Sequence, residues 1–181
     1  MKKGRLKIAL FSLFILMVFS ISSSVYAETL QPGSSITYAL AGWNGAYAQD
    51  GNKRVLQGHS NQVVMTVGVY SVSNSDWNCV AAPDGNFCLQ NCTSPYELVN
   101  ITRILQYNTY YYCRGYWYDS TTNGRDQRLK QSGTYLYLAD PIVSGTWFLQ
   151  TDYSSVSNTS DVIFYTGTGT KAQWEIFNNL Y

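Results

Sequence analysis

The 181-residue chain carries twelve Lys and Arg against eleven Asp and Glu, with 13% charged and 15% aromatic residues. So few charges and so many aromatics exclude a disordered tail, a coiled coil and a strongly basic nucleic-acid binder. The near-neutral balance hides an asymmetry, because Lys2, Lys3, Arg5 and Lys7 all stand at the extreme N-terminus.

Behind that basic start, Ile8–Ile21 is a mainly apolar run of 14 residues. A helix needs about 20 apolar residues to cross a bilayer core, so the run is short for an anchor. Val25 and Ala27 then supply small residues at the −3 and −1 positions of a cleavage site. The pattern predicts a signal peptide over 1–27 and a secreted chain that starts at Glu28. That chain keeps eight cations against eleven anions, a net charge of −3. With no second long apolar segment, it is expected to be extracellular, with no stable membrane insertion after leader removal and no nucleic-acid partner.

Residues 28–181 show no linker, which predicts one domain. The apolar pattern has a period of two, and Val, Ile, Thr, Tyr and Trp dominate it. Candidate strands are 35–43, 62–72, 98–107, 109–119, 134–139, 146–153, 161–166 and 171–177. Turn chemistry separates them at Asp50-Gly51-Asn52, Asp84-Gly85-Asn86 and Thr122-Asn123-Gly124. Seven to eight short strands without a helical stretch predict an all-β, antiparallel β-sandwich, of jelly-roll or immunoglobulin-like type. Val63, Met65, Val67 and Val69 would share its core face, with Trp147, Leu149, Ala172, Trp174 and Ile176. One short repeat is visible: Ser132-Gly133-Thr134-Tyr135-Leu136-Tyr137 returns as Ser144-Gly145-Thr146-Trp147-Phe148-Leu149, as expected of a meander pair.

Cys79, Cys88, Cys92 and Cys113 make an even number in an exported chain, so the sandwich is expected to be disulfide-stabilised. The Pro83-Asp84-Gly85 turn favours Cys79–Cys88, which leaves Cys92–Cys113. The Cys88/Cys92 spacing alone makes a poor metal half-site without a second pair or a nearby His, so neither metal nor cofactor is expected.

No active-site motif stands out. His59, the single histidine, lies beside turn residues and no nucleophile elbow accompanies it. Asp119, Asp152 and Glu175 stand near aromatics and are the candidate acid–base carboxylates of a glycosidase, though a solvated face explains them more simply. Arg125, Arg128 and Lys130 read as a loop that keeps the protein soluble. Asn91, Asn100 and Asn158 begin N-glycosylation sequons.

The most unusual stretch is 109–119, TYYYCRGYWYD. As a strand it would point Tyr111, Cys113, Gly115 and Trp117 into the core. Tyr110, Tyr112, Arg114, Tyr116 and Tyr118 would then line an accessible face. Tyrosine offers a flat apolar body with a polar tip, suited to stacking on a sugar ring while bonding its hydroxyls. The sequence therefore points to a secreted, non-catalytic module that binds carbohydrate, an extracellular glycan or another cell-surface component. Its alternatives are a surface protein assembling through strand edges, a small glycoside hydrolase, and an inhibitor or toxin.

Overall fold

The computed structural model describes residues 28–42, 54–58, 64–72, 74–93, 97–101, 109–152 and 160–178. The leader, His59 and the Asn158 sequon lie outside the described residues. The strands are β1 (Thr37–Gly42), β2 (Arg54–Gln57), β3 (Thr66–Val69), β4 (Trp77–Ala81), β5 (Phe87–Asn91) and β6 (Leu98–Ile101). They continue with β7 (Tyr111–Tyr116), β8 (Leu129–Ser132), β9 (Tyr135–Leu138), β10 (Phe148–Thr151), β11 (Ser160–Tyr165) and β12 (Trp174–Asn178). All pairings are antiparallel within one sheet, and the described residues contain no α-helix.

Six strands form a closed ring. β1 pairs with β4, β4 with β5, β5 with β8, and β8 with β9. The bridge between Tyr135 and Gln173 ties β9 to the entry of β12, and β12 returns to β1. The other six strands are the hairpins β2–β3, β6–β7 and β10–β11. β11 joins both β3 and β7, and Val64 bridges Arg114, so the three hairpins cap the barrel together. Every pairing recurs after four strands. The fold is a β-trefoil.

Equivalent residues follow from the register. Leu40 opposes Ile176, Leu89 opposes Cys79 and Leu136 opposes Gln131, and all three leucines are fully buried. Trp77, Leu129 and Trp174 open the fourth strand of each unit and are fully buried too. The two indoles donate to the carbonyls of Leu56 (3.1 Å) and Leu149 (2.8 Å), so each indole N–H has a partner inside the core. The period is roughly 50 residues, at the long end for internal repeats. Burying each such side chain contributes about 1.5–3 kcal/mol.

This arrangement corrects the expected sandwich of seven to eight strands. Each of the eight expected strands has a counterpart with different bounds, and β2, β4, β5 and β8 add four more among the described residues. Those four read RVLQ, WNCVA, FCLQN and LKQS, too short and polar for alternation to register. They complete the ring, so the sheet closes on itself instead of splitting into two layers. Among the described residues every strand but β12 pairs with two or more others, and β12 is held on its second side by the Gln173 bridge, which leaves little strand edge for assembly. Met65 and Val67 are core residues as expected, but Val69 is 51% exposed at the end of β3.

The expected disulfides are absent: all four cysteines are free. The Pro83-Asp84-Gly85 turn does close a hairpin, with Gly85 at φ 79°. Its register, however, sets Cys79 opposite Leu89 and Cys88 opposite Val80. One residue out of phase, the two thiols leave opposite faces of the hairpin. Burial, together with the neighbouring Cys88, pushes the Cys79 thiol up to about 12, and burial pushes Cys88 to about 11. Both are therefore inert thiols at neutral pH. Cys113 lies fully buried under the cap, and Cys92 is half-buried with its amide donating to the Asp76 carbonyl.

Candidate functional site

The alternation expected of the tyrosine strand holds from Tyr111 to Tyr116. Tyr111, Cys113 and Gly115 are buried, while Tyr112, Arg114 and Tyr116 are half-buried on the outer face. Tyr110, just before the strand, meets Tyr112 edge to face at 5.5 Å. The Arg114 guanidinium stands 5.4 Å from the Tyr116 ring centroid. β7 ends at Tyr116, so the alternation stops there and Trp117 is 58% exposed, against the expectation of a core residue. Tyr118 also leaves the face. Its ring packs over Gly124, whose φ of 67° and missing Cβ make room for it, and its hydroxyl donates to Asn123 Oδ1 at 2.8 Å.

The candidate carboxylates sit on three separate elements. Asp119 caps the 3-10 turn Ser120–Thr122, its Oδ1 accepting from the Thr121 amide and hydroxyl. Asp152 follows β10, where its amide donates to the Asp161 carbonyl. Glu175 is in β12, opposite Ala41. Within the basic cluster, Lys130 is exposed and Arg125 partly open as expected of a solvated loop, but Arg128 is not. Arg128 is buried, donating to Asp84 Oδ2 at 2.8 Å and also to the Asn123 carbonyl, while Arg125 forms a two-pronged pair with Asp140. The sequon residue Asn91 is buried too, with its Nδ2 donating to the Asn74 carbonyl.

A different aromatic group emerges in the third unit. A shallow depression of about 400 Å³ is lined by Ser132, Tyr135, Tyr137, Thr146, Phe148 and Thr168. Local sequence explains its walls. Gly133, at φ 58°, takes the first central position of the two-residue β8–β9 turn and starts Tyr135 and Tyr137 on the outer face. Gly145, at φ 111°, lets the Trp147 indole fold back onto the Ser144 carbonyl, which leaves Phe148 facing outward. The Phe148 ring lies 5.9 Å from Tyr135 and 5.6 Å from Tyr137. Gln173 donates to the Tyr135 hydroxyl at 3.2 Å and fixes that ring. The lining holds apolar ring faces and hydroxyls, with no carboxylate, Lys or Arg. Sequence reasoning missed this group; its signal was the Ser-Gly-Thr repeat, which leads into aromatics twice, Tyr135 and Tyr137 in the first copy and Trp147 and Phe148 in the second.

The pseudo-threefold symmetry supplies an internal control. Each unit has one cross-strand row on its outer face, defined by register. The rows are Ala41–Val55–Gly68, Gln90–Leu98–Tyr116 and Tyr137–Phe148–Tyr165. In the first, all three residues are buried, and the Gln57 side chain fills the place where a Gly68 Cβ would stand. In the second, Leu98 is buried between a half-buried Gln90 and Tyr116. The third row is aromatic throughout and open, with Tyr165 37% exposed. Two of three equivalent surfaces fold without such a row, so the fold does not demand it.

No protein-family model matches the chain, and no curated protein matches it by sequence. Solved structures do match by shape. A designed 3-fold symmetric protein, ThreeFoil, aligns at 19% identity and TM-score 0.61, covering 80% of this chain and 99% of its own. A mosquitocidal holotoxin aligns at 14% identity and TM-score 0.62, over 84% of this chain but 18% of the toxin. The Rhizoctonia solani agglutinin aligns at 15% identity and TM-score 0.54, over 84% of this chain and 99% of its own. Identities this low establish a shared fold.

Proposed function

We propose that the protein is a secreted, non-catalytic carbohydrate-binding module whose ligand rests on Tyr137, Phe148 and Tyr165. The observation that carries this reading is the unequal third row. The six symmetry-equivalent positions hold Ala, Val, Gly, Gln, Leu and a single Tyr, while one row keeps three outward aromatics beside a hydroxyl-lined hollow. A sugar ring has an apolar face and equatorial hydroxyls, and stacked aromatics with flanking hydroxyl groups match both. The agglutinin and the holotoxin among the structural neighbours support a binding role on this fold. Export follows from the basic, apolar and small-residue order of 1–27.

Titration against glycans selected from an array tests the reading. Phe148→Ala is expected to weaken binding about tenfold, or ~1.4 kcal/mol, and leave the thermal midpoint near that of the wild type. If no glycan binds the wild type, or Phe148→Ala binds as well as wild type, the assignment fails.

A further inference from the structure

We infer that the site takes an extended, neutral glycan chain laid across four strands, and not a single terminal sugar; this rests on the carbohydrate reading above. The row does not end at the hollow. Phe148 pairs with Tyr137 on one side and with Tyr165 on the other, which carries the aromatics from β9 over β10 to β11. β11 then pairs with β7, where Phe164 opposes Tyr111 and Ile163 opposes Tyr112. One further step of that register brings Tyr110 beside Tyr165. Tyr110 in turn touches Tyr112 at 5.5 Å, so the hollow and the tyrosine face of β7 belong to one continuous surface.

Neighbouring strands lie about 4.7–4.9 Å apart, so the row from Tyr137 to Tyr110 spans roughly 14 Å. That inter-strand step is close to the length of one pyranose unit. An extended chain running perpendicular to the strands would therefore meet a fresh aromatic ring at each successive sugar. Charge argues for a neutral ligand. The hollow's lining has no ionic group, and exposed charges of both signs flank the row: Lys130 opposes Tyr137, and Asp161 is on the outer face of β11.

The test is calorimetric titration of the full secreted protein with cello-, chito- and β-1,4-galacto-oligosaccharides graded from one to six units. Affinity in the recognised series should rise with each unit up to about four, the number of rings in the row, then level off. Tyr165→Ala should weaken the hexasaccharide about tenfold while barely changing the monosaccharide, and Tyr165→Phe should bind like wild type. Tyr112→Ala should weaken only the longest ligands. Affinity independent of length, still lost in Phe148→Ala, overturns the extended track and leaves the carbohydrate reading standing. No binding by any series overturns both. A salt-sensitive preference for oligogalacturonate overturns the neutral ligand. Concentration-dependent self-association that Phe148→Ala abolishes would assign the row to a second copy of the chain and also overturn the inference.

Discussion

Met65 and Cys113 meet under the hairpin cap: the Met65 amide donates to the Cys113 carbonyl at 2.9 Å, and Cys113 Sγ lies 3.6 Å from Met65 Sδ. Val162 completes the group by donating its amide to the Met65 carbonyl at 2.8 Å. Counting two residues back from Val67, Gly115 and Phe164, which oppose Leu56, Val99 and Leu149, shows that these three occupy equivalent positions. Cys113 is thus a small hydrophobe near the symmetry axis, and burial drives its thiol far above the ordinary range.

Cys113→Val should therefore be tolerated, since Val162 already fills the same place in the third unit. Cys113→Ser should cost about 1–3 kcal/mol, because a hydroxyl there is desolvated without an assured partner. Urea unfolding of the two variants separates the cases. Equal loss in both would mean that the site is constrained by volume alone.

Arg128 and Asp84 tie the start of β8 to the β4–β5 turn. Burial raises the Asp84 carboxyl, but hydrogen bonds from Asn86 and Arg128, with the Arg128 charge, outweigh it and leave it below its usual value. A depressed folded value means that the pair's stabilisation is complete above the unfolded carboxylate range and fades as pH falls through the folded one. Asp84→Asn should cost about 1–2 kcal/mol near pH 7, discounted for partial solvent access. The difference from wild type should close below about pH 4. Chemical denaturation from pH 7 to 3 measures it.

Asp161 should show the opposite sign. Partial burial, then the charge of Asp152, raises its carboxyl. Ionisation is thus less favourable in the folded chain, and the penalty is present at neutral pH and disappears as pH falls below the unfolded value. Asp161→Asn should raise the melting temperature at pH 7 by about 1 °C, a small effect because the side chain is open to water. The gain should vanish near pH 3. A gain that persists in acid would point to something other than charge.

The sequence made some of this legible and hid the rest for physical reasons. Period-two alternation is strong where a strand buries β-branched or aromatic residues, as in β1, β7 and β11, and those elements were foreseen. It is nearly silent in LKQS, where Leu129 alone carries the core contact. The threefold symmetry was invisible because equivalence survives in packing and not in identity: Trp77 and Trp174 share their place with Leu129. The outer face of β7 could be read from one strand, since alternation is local. The Tyr137–Phe148–Tyr165 row needed three strands in register, and no local pattern specifies pairing between residues so far apart in sequence.

Two tryptophans give the sharpest contrast. Trp117 follows the last residue of β7 and is 58% exposed, whereas Trp174 is fully buried with its indole bonded to the Leu149 carbonyl. Removing Trp117 takes little apolar surface out of the core, so Trp117→Ala should change stability by no more than about 0.5 kcal/mol. Trp174→Ala opens a large cavity and leaves the Leu149 carbonyl without its donor, and should cost at least about 3–5 kcal/mol. It would also loosen the Gln173 side chain that fixes Tyr135, so weaker glycan binding should accompany its lower melting temperature. Thermal melts and titrations on both variants decide the point. A strongly destabilised Trp117→Ala would place that indole in the core and move the end of β7 beyond it.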